Sequence, residues 1–168
     1  ARALELGGDE LMHSRDDGGE SQWAVLLDPN GAAFGVIPVV SAESKSTSPD
    51  EGGASRDAAE RAGRISWLDL TVSDALATRD FYRQVVGWSV QDIEMEDAEE
   101  AYADYNMLRD DGDATARVCH ARGANLGLPP VWLLYLPVGD LRESLRRVHE
   151  GGGEIIKAIQ ETDGTYAS

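Results

Sequence analysis

The sequence predicts an α+β fold built from consecutive β-α-β-β-β units. Residues 65–72 alternate apolar and polar side chains, which is typical of a half-buried strand, and apolar residues at helical spacing follow at once. The same change from strand to helix recurs at residues 130–150. A glycine run, an acidic residue and an apolar pair occur both at 7–12 and at 151–156, so part of the unit occurs twice.

The first unit begins with the strand at 65–72. Ser73 and Asp74 predict a helix start, because their side-chain oxygens can accept hydrogen bonds from backbone N–H groups that otherwise lack a partner. Gly87 predicts the helix end, since glycine tolerates the left-handed conformation that ends many helices. Acidic residues and glycines typical of turns then separate three further predicted strands, at residues 89–95, 102–108 and 114–120.

The second unit follows directly. Residues 130–138 are apolar on both faces, which predicts a strand in the centre of a sheet rather than at its edge. Asp140 predicts the start of a helix, and the glycines at 151–153 predict its end. Residues 154–159 predict another strand, and residues 166–168 predict the start of a strand that the sequence does not complete.

Residues 41–63 predict a flexible linker. They carry almost no large apolar side chains and are rich in Ser, Gly, Asp and Glu, so they cannot bury enough surface to offset the entropy lost on ordering. This linker separates residues 1–40 from residues 64–168. The N-terminal piece predicts the end of a helix, followed by strands at 10–13, 23–27 and 33–39.

Composition and charge exclude several classes of function. Acidic residues outnumber basic ones 31 to 15, and the formal charge of −16 opposes binding to nucleic-acid phosphates or anionic membrane surfaces. The single cysteine, Cys119, excludes an intrachain disulfide. No stretch approaches the ~20 apolar residues that a membrane-spanning helix needs. We therefore expect a cytoplasmic protein with no nucleic-acid or membrane partner.

Three motifs resemble the vicinal oxygen chelate superfamily, which includes glyoxalases, bleomycin resistance proteins and dioxygenases. They are ISWLDLTVSD leading into FYRQVVGW at residues 65–74 and 81–88, VWLLYLPVGDL at 131–141, and WAVLLDPNGAAFG at 23–35. The resemblance implies paired β-α-β-β-β units that form a concave, partly closed mixed sheet with flanking helices around a small-molecule pocket. It does not fix the reaction, because one fold supports many functions.

The resemblance also implies how the pieces of the chain are related. Residues 64–168 match a glyoxalase/bleomycin-resistance-like domain that lacks its last strand, and residues 1–40 match the C-terminal half-unit of such a domain. Residues 22–39 then complete the sheet, within one chain or by exchange with a second chain, or else residues 1–40 belong to a preceding domain. Since an incomplete sheet exposes edge strands, we expect a homodimer in either case.

Enzymes that this chain resembles commonly hold a metal ion through His, Gln and Glu on the first and fourth strands of each unit. Matching by motif, those positions fall on Trp67, Leu133 and Gly35, none of which can coordinate a cation. His120 could be a ligand, but one imidazole does not hold a metal ion. We therefore expect no metal cofactor, which disfavours metal-dependent glyoxalase and dioxygenase reactions.

The ligand pocket implied by the resemblance has a predicted floor. Alternation puts Trp67 and Asp69 on one face, and Leu133 and Tyr135 on the matching strand. Such a floor favours a flat, partly apolar ligand that carries a hydrogen-bond donor or a positive charge. Two structural interpretations stay open: Trp67 fills the core, and Asp69 makes a buried structural hydrogen bond.

The loop between the two units supplies further candidates. Residues 118–130 are rich in Gly and Pro and carry His120 and Asn125, which we expect to contact the ligand. Cys119 and His120 are neighbours, but neighbours on a strand point to opposite faces. Cys119 is therefore expected to be a buried structural residue rather than a nucleophile.

Three functions are consistent with these patterns. The first is a metal-free protein that binds an aromatic or cationic small molecule, as antibiotic-sequestering members of the superfamily do. The second is a lyase or dioxygenase-type enzyme of unknown substrate, with His120 or Asp69 as a general base. The third is a non-catalytic interaction domain in which aromatic side chains fill the pocket.

Overall fold

The computed structural model describes residues 2–38, 63–97, 100–159 and 166–167. The chain divides into two compact units, whose bounds differ from those of the predicted β-α-β-β-β units. The first comprises Ala1–Ala54 and Leu68–Leu133, and the second comprises Ser55–Trp67 and Leu134–Ser168. Nearly all of the predicted linker at 41–63 lies outside the described residues.

The N-terminal piece forms a small antiparallel sheet after a short helix. Helix α1 covers Arg2–Glu5, and three strands pair in sequence order: β1 (Asp9–Arg15), β2 (Ser21–Leu27) and β3 (Ala33–Val36). The β1–β2 register shifts at two points, which marks β-bulges. The predicted helix end and three strands are confirmed, although β1 and β2 are longer than expected and β3 is shorter.

The larger sheet has five strands in the order β5-β6-β7-β4-β8. They are β4 (Trp67–Val72), β5 (Ser89–Glu96), β6 (Ala101–Leu108), β7 (Ala114–His120) and β8 (Trp132–Tyr135). Strand β4 pairs in parallel with β7, whereas β5, β6 and β7 pair antiparallel. Helix α2 (Ala75–Val86) connects β4 to β5, so the first predicted β-α-β-β-β unit and the α+β class are confirmed.

Local signals set both ends of helix α2. The Asp74 carboxylate accepts a hydrogen bond from the Ala77 backbone N–H at 2.9 Å, which caps the start of the helix. Gly87 has a φ of 88°, a left-handed conformation that costs glycine little, and its N–H donates to the Arg83 carbonyl. Both predicted helix boundaries are confirmed.

Helix α2 and the larger sheet enclose the core of the first unit. Phe81 and Tyr82 are buried on α2, and Leu70 and Val72 are buried on β4. Strands β6 and β7 contribute Tyr105, Met107, Ala116 and Val118. Cross-strand partners share one face of a sheet, so these side chains form one apolar layer.

A buried hydrogen-bond chain joins the N-terminal piece to α2. Trp132 Nε1 donates to the Tyr82 hydroxyl at 3.0 Å, and this hydroxyl donates to Asp28 Oδ2 at 3.2 Å. The other carboxylate oxygen, Asp28 Oδ1, accepts from the backbone N–H groups of Asn30 and Ala32 at 2.8 and 2.9 Å. Burial and the neighbouring Asp28 charge raise the pKa of Tyr82, so its hydroxyl keeps the proton that it donates.

Aromatic rings surround this hydrogen-bond chain. Phe34 of β3 packs edge-on against Phe81 and Tyr82, with ring centroids 5.9 and 5.2 Å apart. Tyr82 also contacts Trp88 and Trp132 at 6.0 and 5.2 Å. Aromatic pairs of this kind add about 0.5–1.5 kcal/mol each beyond the burial of their surface. The N-terminal piece and α2 therefore share one core within the first unit.

Helix α3 (Leu141–Glu150) is the longest element of the second unit. The Asp140 carboxylate accepts from the Glu143 backbone N–H at 2.9 Å, which confirms the predicted helix start. Elsewhere in this unit, the Ser66 N–H donates to the Tyr135 carbonyl at 2.8 Å. Two short strands, β9 (Ala158–Ile159) and β10 (Tyr166–Ala167), pair antiparallel.

Two strand predictions are wrong in extent or position. The strand predicted at 130–138 covers only Trp132–Tyr135 and lies at the edge of the described sheet. Pro130 and Pro137 bound it, and proline has no N–H to donate to a neighbouring strand. The strand predicted at 154–159 covers only Ala158–Ile159, and the apolar pair before it stays exposed.

The N-terminal strands do not extend the larger sheet in the described part of this chain. Strands β2 and β3 belong to their own three-stranded sheet. Completion of the sheet by exchange with a second chain, the homodimer and a preceding domain stay predictions. None of the helices in the described ranges combines the length and apolar character that a bilayer crossing requires.

Removing the Tyr82 hydroxyl tests the junction between the N-terminal piece and α2. In Tyr82→Phe, the half-buried Trp132 donor and the buried Asp28 acceptor each lose a partner. We expect the free energy of unfolding to fall by about 1–3 kcal/mol in urea denaturation, because unsatisfied buried polar groups are costly. Tyr105→Phe, at another buried tyrosine, is the control and should cost less. Equal losses in the two variants would contradict the structural importance of this hydrogen-bond chain.

Candidate functional site

Four polar side chains form a row across the larger sheet. Gln91 of β5 pairs in register with Asn106 of β6, Asn106 with Arg117 of β7, and Arg117 with Asp69 of β4. Asn106 Nδ2 donates to Gln91 Oε1 at 3.2 Å, and Arg117 Nε donates to Asn106 Oδ1 at 3.0 Å. These four residues, called the polar row below, share one face because cross-strand partners point to the same side.

The polar row lies on the face of the sheet that does not pack against α2. Leu70 and Val118, which alternate with Asp69 and Arg117 along their strands, are fully buried in the α2 core. Asp69, Asn106 and Arg117 are half-buried and Gln91 is exposed. The row therefore offers carboxylate, amide and guanidinium groups at an accessible surface.

Cys119 and Thr71 lie beside the polar row on the same face. They pair in register on β7 and β4, and both are buried. Burial raises the pKa of the Cys119 thiol, and the negative charges of Asp69 and Asp104 raise it further. A thiol with a raised pKa is a poor nucleophile, since the thiolate is the reactive form. Cys119 is thus buried, as predicted.

His120 lies on the opposite face of β7, in register with buried Val72. The Asp104 carboxylate of β6 is its main polar neighbour. Asp104 Oδ1 accepts from the His120 backbone N–H at 2.8 Å and lies 3.3 Å from the imidazole Nδ1. Asp104 is only 1% exposed, and its second oxygen, Oδ2, is buried with no hydrogen-bond partner among the described residues.

Two tyrosine rings flank the His120 imidazole. Its centroid lies 5.6 Å from Tyr102 and 6.1 Å from Tyr105. The Arg122 guanidinium covers the Tyr102 ring at 4.5 Å, and the Arg79 guanidinium covers the Tyr105 ring at the same distance. The His120 ring therefore packs against two tyrosine rings, each of which is also covered by an arginine.

The predicted site residues fall into separate groups. Asp69 lies in the polar row, whereas His120 lies on the other face of the sheet. Leu133 is half-buried on β8, and Asn125 lies in a short 3-10 turn, with its N–H donating to the Arg122 carbonyl at 2.9 Å. Trp67 and Tyr135 are half-buried residues of the second unit.

Sequence reasoning missed Gln91, Asn106, Arg117 and Asp104. Arg117 carried a signal, because it is the one charged residue inside the otherwise largely apolar strand at 114–120. Its pairing with Asp69 depends on a parallel register between strands that α2, β5 and β6 separate in sequence. No local pattern predicts that register.

The residues at the expected metal positions do not fit a metal ion. Trp67, Leu133 and Gly35 offer no oxygen, imidazole or thiolate ligand. In the described ranges, no group of three or more His, Cys, Asp or Glu side chains is placed to hold a metal ion. The absence of a metal cofactor stays a prediction.

A cavity of about 470 Å³ lies between the N-terminal piece and α2. Its lining includes Pro29, Asn30, Thr78 and Phe81, and none of the predicted ligand contacts. This groove, called the α2 groove below, is within the size range of small-molecule sites. The α2 groove is therefore the main alternative to the polar row as a binding site for a small molecule.

The raised pKa of Cys119 predicts a loss of stability at alkaline pH. An unfolded cysteine loses its proton near about pH 8.5, whereas folded Cys119 keeps it. Above that pH the folded state binds more protons, so the free energy of unfolding falls as pH rises. Cys119→Ala should reduce this fall by up to about 1.4 kcal/mol per pH unit, measured by urea unfolding at about pH 7.5 and about pH 9.5. An identical fall in both proteins would contradict the prediction.

Three curated proteins show the range of similarity. The chain is 31% identical over 97 residues to CFP32 of Mycobacterium bovis, named as a glyoxylase; the match covers 57% of this chain and 36% of CFP32. It is 26% identical over 114 residues to the anthracycline biosynthesis protein DnrV of Streptomyces peucetius, covering 61% and 40%. The similar protein DauV, from a Streptomyces species, matches at 27% over 114 residues. The chain thus spans well under half the length of these relatives.

A sequence model of a whole superfamily matches the larger piece of the chain. The matched residues are 64–167, which include all strands of the larger sheet and both longer helices. The match covers more than half of the chain and agrees with the β-α-β-β-β order from β4 to β7. The chain belongs to the Glyoxalase/Bleomycin resistance protein/Dioxygenase superfamily.

Proposed function

We propose that this chain binds a small organic molecule, aromatic or cationic, on the polar row of the larger sheet, and does so without a metal ion. One observation carries the proposal: a carboxylate and a guanidinium, Asp69 and Arg117, stand in register on adjacent inner strands. Charged groups inside a sheet are costly unless they are partnered or solvated. The accessible face at which they lie makes ligand recognition a reason for retaining them.

The groups in the polar row complement a flat ligand with polar edges. Asp69 supplies an acceptor and a negative charge, while Asn106 and Gln91 supply amide donors and acceptors. Ile93 and Leu108 follow the same alternation on β5 and β6, are half-buried, and add apolar surface beside the row. A mostly apolar surface with a few fixed polar groups is the usual composition of a small-molecule site.

The relatives narrow the choice of a first probe. DnrV and DauV are named as anthracycline biosynthesis proteins. An anthracycline has a planar ring system and an amino sugar, so it combines the flat apolar body and the positive charge that the polar row favours. Anthracycline fluorescence also allows binding to be followed directly.

Neutralising Asp69 should weaken binding of an anthracycline. Asp69→Asn keeps the shape of the side chain and removes its charge, and we expect the dissociation constant to rise about tenfold or more. The reason is that a hydrogen bond to a charged group contributes about 1.5–3 kcal/mol, and 1.4 kcal/mol is a factor of ten. The measurement is quenching of anthracycline fluorescence on titration with protein.

Two control variants locate the site. Glu94→Gln removes the same charge from an exposed position on the other face of β5, and should leave binding unchanged. Ala77→Trp fills the α2 groove and should also leave binding unchanged. Loss of binding in Ala77→Trp with full binding in Asp69→Asn would move the ligand to the α2 groove and overturn the proposal.

Removing divalent metals should not affect binding. The side chains at the expected ligand positions cannot coordinate a cation, so a chelator has nothing to withdraw from the polar row. We expect less than stoichiometric metal in the purified protein by mass spectrometry, and the same anthracycline affinity with and without EDTA. Stoichiometric metal whose removal abolishes binding would overturn the metal-free proposal.

A further inference from the structure

We propose that His120 is a proton-accepting site, in which buried Asp104 holds the imidazole in the tautomer that leaves Nε2 free to take a proton from a ligand. The His120 side chain lies on the opposite face of β7 from Arg117, whereas Asp104 is two residues from Asn106 on β6 and therefore alternates onto the face of the polar row. Proton acceptance at His120 does not require the binding function proposed above. Asp104 is a positioning residue here, because it acts through His120.

A backbone hydrogen bond fixes the orientation of the Asp104 carboxylate independently of the imidazole. Its Oδ1 accepts the backbone N–H of His120 at 2.8 Å, and that N–H cannot move independently of strand β7. The same oxygen lies 3.3 Å from Nδ1, which makes Nδ1 the natural donor of a second hydrogen bond. The hydrogen bond made by one ring nitrogen decides which nitrogen carries the proton. A proton on Nδ1 leaves a lone pair on Nε2.

The second oxygen of Asp104 strengthens this preference. Oδ2 is buried without a hydrogen-bond partner in the described part of the chain, and besides the His120 contacts the carboxylate interacts with the weakly donating Cys119 thiol, so it is incompletely compensated for the loss of water. A positive charge on the adjacent imidazole would compensate it. The nearby Nδ1 of His120 can supply part of that compensation as a hydrogen-bond donor.

The surroundings hold the ring without blocking it. The side chain of His120 is 21% exposed, whereas that of Asp104 is 1% exposed. Tyr102 and Tyr105 contact the ring, and Cys119 is its neighbour in sequence. The two nearby guanidinium groups are paired with other carboxylates. Arg79 donates to Asp80, and Arg122 donates to Asp97 and Glu100. Asp104 is thus the negative charge that faces the imidazole directly.

The chemistry is a simple proton transfer. A ligand with an acidic hydroxyl, such as a phenol or an enol, gives its proton to Nε2 and becomes an anion. The imidazole becomes an imidazolium whose Nδ1–H stays bonded to Asp104. One proton moves, and no other bond forms or breaks. An imidazole that donates through Nδ1–H can accept a proton at Nε2, which is how histidine acts as a general base.

The tautomer of His120 is the first test, and it uses the unmodified protein. Long-range ¹H–¹⁵N NMR at neutral pH distinguishes the two tautomers, with His13 and His149 as internal references. We expect His120 to be mainly protonated at Nδ1. In Asp104→Asn, which keeps an oxygen for the backbone N–H, the preference should weaken markedly. A His120 protonated mainly at Nε2, or an unchanged preference in Asp104→Asn, would overturn the proposal.

The reactivity of Nε2 is the second test. Diethyl pyrocarbonate modifies an unprotonated imidazole nitrogen, and peptide mass spectrometry gives the rate at each histidine. We expect His120 to react in the folded protein about as fast as His149, and several-fold more slowly in Asp104→Asn. A His120 that reacts only after unfolding would show that Nε2 is inaccessible, which would also overturn the proposal.

Discussion

A buried hydrogen-bond chain from Asp28 through Tyr82 to Trp132 is the constraint on which the arrangement of the first unit depends. Burying the Asp28 carboxylate is unfavourable unless all of its partners are in place. Those partners come from its own turn, at Asn30 and Ala32, and from α2. These hydrogen bonds connect α2 through Tyr82 to the turn of the N-terminal piece and, through Trp132, to β8 of the larger sheet.

The position of α2 determines what each face of the larger sheet can do. With Phe81 and Tyr82 packed over Leu70 and Val118, one face of the inner strands β4 and β7 is committed to the core. Strict alternation then directs Asp69 and Arg117 to the other face. The polar row is thus a consequence of helix packing on the opposite face of the sheet. A change that loosens α2 would disturb the row indirectly.

Local patterns predicted the local structure of this chain well, whereas long-range pairing was beyond them. Asp74 and Gly87 act on neighbouring residues, so the ends of α2 could be predicted from the sequence alone. The partnership of Asp69 with Arg117 required the parallel register of β4 and β7, which no local pattern encodes. Alternation also separates His120 from Asp69, and the two could be assigned to different faces only once that register was known.

The end of the β6–β7 pairing explains why His120 and Asp104 occur together. The β6–β7 pairing on this side ends at Tyr105 and Val118, so the backbone N–H of His120 needs an acceptor beyond it. The Asp104 side chain supplies that acceptor. Because the Asp104 carboxylate accepts the backbone N–H of His120, it also lies beside the imidazole of His120. The strand end thereby brings a charge and an imidazole together without a dedicated loop.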